Sequence, residues 1–399
     1  MLKRELYLSR IRGFYDSDLV KILVGIRRCG KSVILQQIID ELKEKGVSED
    51  HLLYINFEFI EYEDLQDYKR LNQYIKERVI DDSIYYVFLD EIQNVEAFEK
   101  VVNSLRASIS NISLFITGSN SKLLSEEIST VLSGRYVSFQ IYPMNYREFL
   151  SLTGKDEKNR ETFDDFVKWG GLPNRTQFTE EGNIKDYLHS VFDSIILRDV
   201  VGRLGLKDTS LFNLILQYII DTTGREFSAK NIIAFFKAEG RELSTATLYN
   251  YLDALGKALI VKKVFRYDIH GKAILKTLNK YYMTDLGIAQ IKNHNYEINY
   301  AFSLENVVYN ELLTRGYEVY TGKTPKGEID FVAKRDQETV YIQVAYLLAD
   351  DKVIEREFGA FDAVKDNYPK YVVTLDEKDF SKEGIIHMNM IDFLCGREL

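Results

Sequence analysis

The sequence predicts an α/β protein: a parallel sheet covered on both faces by helices, then a helical region, then a second, smaller α/β part. Three observations carry this. In the first 150 residues short apolar runs alternate with helical repeats, the first run leads directly into a glycine-rich loop and a helix, and a later run stops at two adjacent carboxylates. Strands that alternate with helices and are apolar throughout belong to parallel sheets, because the crossover helices bury both of their faces.

In chain order, LVKILV at 19–24 reads as a strand, GIRRCGKS at 25–32 as a loop, and SVILQQIIDELKEKG as a helix that Gly46 stops. LLYINF at 52–57, YYVFLD at 85–90 and SLFITG at 113–118 are further strands, separated by helical stretches near 65–80 and 96–109. Residues 131–150 close this block, 1–150, with a strand, Pro143 and a short helix. Residues 151–222 are helical apart from WGGLPN at 169–174, where paired glycines and a proline break any helix, and they read as a lid or connector. Residues 223–300 hold two short helices and a hairpin, the order of a winged helix. Residues 301–399 open with the helix LENVVYNELLTRG and pass to strands at EVYTG, EIDFVAKR and TVYIQVAYLL.

A chain of 399 residues exceeds what a single core usually supports, so several domains are expected. Hydrophobic and charged fractions of 45% and 28% exclude a disordered chain. Two cysteines, Cys29 and Cys395, stand at opposite ends without metal-ligand spacing, which fits a reducing, cytoplasmic setting. Charges scattered through the first sixteen residues break any signal-peptide core, and no run reaches membrane-spanning length, so no membrane partner is expected. The net charge of -9 argues against a protein that coats nucleic acid, yet residues 225–280 carry eleven Lys or Arg against five Asp or Glu. A basic module rides on an acidic chain.

The chemistry is concentrated in Gly25-Ile26-Arg27-Arg28-Cys29-Gly30-Lys31-Ser32, with Val33 opening the helix. This is G-x-x-x-x-G-K-[ST], in which small residues let backbone N–H groups turn inward around phosphates. Lys31 is expected on the β- and γ-phosphates of ATP, and Ser32 on Mg²⁺, with the helix N-terminus adding its dipole. Asp90 and Glu91 end an apolar strand at the carboxyl edge of the sheet, where nucleotides bind. Asp90 is expected to hold the magnesium shell and Glu91 to act as general base or water-orienting group. Asn120 or Ser119, at the end of SLFITG, is placed to sense the γ-phosphate. Arg135 is a candidate cation for transition-state charge, in cis or from a neighbouring subunit. Cys29 is expected to be reactive, its thiolate favoured by the helix N-terminus and two arginines.

GIRRCGKS, YYVFLDEIQNV, FITGSNSKLLS, the LSGRY segment and the GGLP turn at 170–173 together resemble the AAA+ ATPases. More narrowly, they resemble a prokaryotic group in which such an ATPase precedes an uncharacterised C-terminal domain. The resemblance covers most of the chain and implies a P-loop ATPase sheet binding ATP and Mg²⁺. Within the winged-helix region, the helix from Ser244 is expected to bury Leu248, Leu252 and Leu255 and to leave Thr245, Thr247, Tyr249 and Asn250 outward. Lys262, Lys263, Arg266, Lys272 and Lys276 are expected near the wing. Such a module over residues 226–282 serves double-stranded DNA, the slightly favoured reading, or else dimerisation and intramolecular docking. The last domain resembles the PD-(D/E)xK nuclease fold through Glu305, Glu328, Asp330 and the strand carrying Gln343 and Ala345. Gln343 stands where active members carry an acid, and Ala345 where they carry a lysine. The expectation is therefore a degenerate fold used for binding. Functionally, the sequence points to an Mg²⁺-dependent ATPase coupling nucleotide state to DNA or partner binding, a homo-oligomer being open. The alternatives are a slow nucleotide switch and an ATP-regulated nuclease.

Overall fold

The computed structural model describes residues 2–120, 123, 132, 134–156, 159–202, 208–292, 297–397 and 399. Ser121, Lys122, Leu124, Ser125 and Ser133 of the quoted motifs lie outside the described residues. The chain divides into two compact units, Met1–Tyr142 with Lys257–Leu259, and Pro143–Gly256 with Ile260–Leu399.

In the first unit β1 (Val20–Val24), β2 (Leu52–Asn56), β3 (Tyr85–Asp90), β4 (Ile112–Gly118) and β5 (Tyr136–Gln140) form a sheet in the order β2-β3-β4-β1-β5. Every neighbouring pair is parallel. β1, β3 and β4 are buried at every position, as unbroken apolar runs require when both faces are covered. The crossovers include α1 (Lys31–Glu44), α2 (Tyr68–Lys76) and α3 (Phe98–Ser108). α1 buries Ile34, Leu35, Ile38, Ile39 and Leu42, one helical face. It ends as its sequence dictates, with Gly46 at φ 88° and Val47 N–H donating to the Leu42 carbonyl at 3.0 Å, a Schellman closure.

In the second unit, helices Tyr146–Thr153, Arg160–Trp169, Glu181–Ser194 and Thr209–Asp221 fall in or beside the helical region expected at 151–222, and the stretch Ile195–Gly202 is wound as a π-helix. The glycine pair of WGGLPN is explained by close approach. A Cβ on Gly171 would stand 2.1 Å from the Met144 carbonyl oxygen, and one on Gly170 2.3 Å from an Asp285 oxygen. Asp285 accepts from Gly171 N at 2.8 Å and from Gly287 N at 2.9 Å. Burial pushes its carboxyl up to about 6.

Helices Ala229–Ala238 and Thr245–Lys257 precede β6 (Val261–Asp268) and β7 (Ala273–Met283). β8 (Glu318–Lys323), β9 (Glu328–Arg335), β10 (Glu338–Val344), β11 (Lys370–Thr374) and β12 (Ile385–Asn389) complete a mixed seven-stranded sheet ordered β12-β11-β10-β9-β8-β6-β7. The sequence reading placed a boundary near residue 300, but β6 pairs in parallel with β8 through Arg266–Thr321, Tyr267–Gly322 and Asp268–Lys323, so one sheet runs across it. β11 and β12 were not anticipated. Among the described residues no helix is long and apolar enough to cross a membrane.

Candidate nucleotide site

β1 ends at Val24, and the chain turns through the glycine-rich loop into α1. A Cβ on Gly25 would stand 2.3 Å from the Ile141 carbonyl oxygen and 2.6 Å from Cys29 Sγ, so only glycine fits there. Gly30 adopts φ 103° and Arg28 φ 67°, which places left-handed backbone at two points of the loop. No side chain caps the N-terminus of α1, and its first N–H groups with the loop amides form an anion site of the kind that holds phosphates. Ile26 and Cys29 are buried beneath the loop, while Ser32 and Val33 are half-buried on the first turn of α1.

Lys31 is only 3% exposed. Its Nζ donates to the Gly25 carbonyl at 3.1 Å and the Ile26 carbonyl at 3.5 Å, and pairs with Glu91 Oε1 at 3.3 Å. Burial opposes its charge, but the surrounding anions, Glu91 foremost, outweigh burial and raise it above the ordinary lysine range. Asp90, fully buried at the end of β3, is gripped from both neighbouring strands. Its Oδ1 accepts from Thr117 Oγ1 on β4, and its Oδ2 accepts from Tyr54 OH at 2.7 Å and Asn56 Nδ2 at 3.2 Å on β2.

Glu91 takes φ 56°, and its N–H donates to Thr117 Oγ1 at 2.9 Å. Left-handed backbone at a non-glycine residue costs about 1–3 kcal/mol and is concentrated at functional sites. Burial pushes the Glu91 carboxyl up, but Lys31, then Gln93 and Arg27, reverse this and hold it at about 2. Ser119 and Asn120 are buried at the carboxyl end of β4, between β3 and β1. Arg27 is buried and pairs with Glu58 at 2.7 Å.

Two expectations are corrected by the fold. Arg135 lies immediately before β5, and because β5 runs parallel to β1 from Val20–Tyr136 onward, it stands at the amino edge of the sheet, opposite the loop. The fold therefore does not bring it to the loop of its own chain. Cys29 is fully buried, its Sγ lies 3.5 Å from the Ile141 carbonyl oxygen, and burial pushes its thiol up, so it is not a reactive thiolate. Tyr54, Asn56, Thr117 and Gln93 were missed. The only signal for them was a polar residue at the carboxyl end of an apolar strand or just after the acidic pair.

The C-terminal carboxylates also converge. Asp330 on β9 accepts from Val344 N at 2.8 Å, and its own N–H donates to Gln343 Oε1 at 3.2 Å. Glu305 accepts from Tyr282 OH at 3.0 Å. Position 345 carries alanine where the resemblance calls for a lysine, yet β7 delivers one to the cluster: buried Lys280 pairs with Glu328 and lies 3.9 Å from Glu305 Oε2. Burial raises Glu305, and burial followed by the Glu305 charge raises Asp330 well above the usual carboxylate range. Among the described residues no three His, Cys, Asp or Glu side chains are arranged to hold a metal ion.

In the basic region Leu248, Leu252 and Leu255 are buried, and Thr245, Tyr249 and Asn250 exposed, as expected; Thr247 is half-buried. Arg266 pairs with Glu226 at 3.0 Å, and Lys262 is half-buried, which leaves Lys263 and Lys272 exposed at the hairpin. The Lys276 side chain lies outside the described residues.

Residues 17–150 match the AAA domain family, and residues 160–294 match a domain of unknown function, DUF8612. The Walker-type ATPase PABY2304 of Pyrococcus abyssi superposes with a TM-score of 0.52 at 16% identity, covering 73% of this chain and 96% of that one, a likeness of fold. An uncharacterized protein of Methanocaldococcus jannaschii, MJ1544, is 31% identical over 91% of this chain and 83% of its own length. An uncharacterized protein of Haemophilus influenzae is 38% identical over 99% of this chain and 98% of its own length. With its AAA domain on a parallel five-stranded sheet, the chain belongs to the same family as these two full-length relatives.

Proposed function

We propose that this protein is an Mg²⁺-dependent ATP hydrolase whose general base is held inactive until nucleotide arrives. The observation that carries the reading is the 3.3 Å pair between Lys31 and Glu91 inside the loop. A carboxylate held at about 2 is a weak base at neutral pH. When the β- and γ-phosphates enter the loop they offer Lys31 a more highly charged partner. Glu91 then loses its main counter-ion, while its burial, which favours the neutral acid, persists. Its basicity rises where the attacking water must be oriented, so substrate binding arms the base. The donor set suits a hard divalent ion: the Ser32 hydroxyl and the Asp90 carboxylate would hold Mg²⁺, which supplies positive charge to the phosphates. Asn120 and Ser119, at the neighbouring strand end, would contact the γ-phosphate. Arg135, exposed at the far edge, would serve only a neighbouring copy's site in a homo-oligomer.

Nucleotide binding and phosphate release by Lys31→Ala and Glu91→Gln test this. Lys31→Ala is expected to abolish ATP binding, and Glu91→Gln to keep binding and lose turnover by about 10²–10⁴-fold. Tight ATP binding with negligible turnover in the parent protein would instead favour a nucleotide switch.

A second reading concerns the output. The exposed Tyr249, Asn250 and Thr245 on one helix, with Lys230, Lys263 and Lys272 exposed in the same basic segment, favour a winged-helix contact with duplex DNA. With Arg266 already paired, few phosphate contacts and a modest salt dependence are expected. The cluster around Lys280 belongs, on this reading, to a nuclease-like fold that binds and does not cleave. Incubation with supercoiled DNA in Mg²⁺ or Mn²⁺ checks it, and cleavage that disappears in Asp330→Ala would make the protein an ATP-regulated nuclease.

A further inference from the structure

Gln93 follows the Asp90–Glu91 pair in the short turn Ile92–Asn94. Neither the phosphate loop nor the acidic pair calls for an amide there, yet the side chain is committed at several points. Its Nε2 donates to Glu91 Oε2 and reaches Ser119 Oγ at 3.5 Å. Among the described residues its Oε1 is buried without a hydrogen-bond partner. The amide fits only because residue 118 is glycine: a Cβ there would stand 2.5 Å from Gln93 Oε1.

An orphaned buried acceptor is unfavourable, and a leucine of similar size would fill the same space without one. Retaining the amide therefore points to a use for its donor. That use follows from how Glu91 is held. Lys31 holds Oε1 and Gln93 holds Oε2. When Lys31 turns to the phosphates, the first anchor is lost and the second stays. A neutral amide orients a carboxylate while depressing its basicity less than a cation does.

We infer that Gln93 is the positioning residue of the hydrolytic carboxylate, keeping Glu91 aimed after Lys31 has left and tying it through Ser119 to the end of β4. The inference rests on the reading of Glu91 as the base. A mispositioned catalytic group loses rate without losing substrate affinity, which gives the test its shape.

ATP affinity and single-turnover phosphate release are measured on the full chain for Gln93→Leu, Glu91→Gln and the double variant. Gln93→Leu is expected to keep ATP affinity within about twofold and to slow release by about 10–100-fold. In the Glu91→Gln background the same substitution is expected to change the residual rate by less than about twofold, because it acts through the carboxylate already removed. An unchanged rate in Gln93→Leu, or an equal loss in both backgrounds, overturns the inference and leaves Glu91 in its role. Glu91→Gln as fast as the parent overturns the underlying reading instead. Gln93→Met, unbranched and of similar length, guards against misfolding: if it too loses ATP affinity, Gln93 is structural and the inference fails.

Discussion

Lys31 and Lys280 are both 3% exposed and both stand among carboxylates, but their surroundings differ in composition and in freedom. Lys31 opens α1 behind a loop with left-handed backbone at Arg28 and Gly30, and it has one carboxylate partner, Glu91, with two carbonyls. Lys280 sits on β7 against Glu328 and Glu305, with Asp330 close enough to favour its charged form. At the first site the cation can exchange one anion for a stronger one. At the second the carboxylates outnumber the cation, and burial pushes Glu305 and Asp330 toward their neutral forms. On the proposed function, Lys31 is a mobile phosphate ligand and Lys280 a fixed counter-ion, a difference set by the anions around each and the backbone beneath it.

The sharpest way to break this contrast compares the two glutamates that face these lysines. Glu91→Gln is expected to slow phosphate release by about 10²–10⁴-fold, whereas Glu305→Gln leaves it unchanged. Comparable losses in both would mean that the C-terminal cluster takes part in turnover.

Removing the fixed counter-ion has the next largest effect. Lys280→Met strands the surrounding carboxylates and is expected to destabilise the protein by about 3–5 kcal/mol in urea unfolding. The sign with pH follows from the partners. Glu305 and Asp330 have raised folded-state values, so the folded protein takes up protons before the unfolded chain does, and stability falls as pH rises through that window. The Lys280→Met loss is therefore larger at pH 8 than at pH 5, and a pH-independent loss would remove the charge explanation.

A third buried lysine sharpens the comparison because, among the described residues, no carboxylate touches it. Lys21 Nζ donates to Ser113 Oγ at 2.7 Å and to the Ser17 carbonyl at 3.0 Å, and it lies 4.6 Å from the Phe115 ring centre. Burial depresses it to about 7. With the folded value below the unfolded one, its charge destabilises the fold fully below about pH 7, and the penalty fades as pH rises toward the ordinary lysine value. Lys21→Met is expected to gain about 1–3 kcal/mol at pH 7, net of the lost hydrogen bonds, and nothing near pH 10. Thermal unfolding across that range measures it.

The smallest effect concerns the loop thiol. Cys29 is fully buried, whereas Cys395 is half-buried, so iodoacetamide mass mapping of the native protein should label Cys395 first and Cys29 only on unfolding. Prompt labelling of Cys29 would show that the loop opens far more than its packing implies.

Most of the candidate nucleotide site was legible because phosphate chemistry needs contiguous residues. Eight successive residues build the loop, and two successive carboxylates end β3, so composition and spacing along the chain specify them directly. The same holds for the parallel sheet of the first unit, whose apolar runs alternate with helices. Tertiary structure decided what periodicity cannot encode, namely which strand lies beside which and in what register. Strand order brings Tyr54, Asn56 and Thr117 onto Asp90, and puts Arg135 at the opposite edge from the loop. In the second unit the same uncertainty hid a lysine. Lys280 and Glu328 are far apart in sequence and become partners only because β6 pairs with β8 and carries β7 into the sheet. Contacts made within a few residues are dictated by local chain geometry; those made across strands depend on the packing of the whole sheet, which no local pattern records.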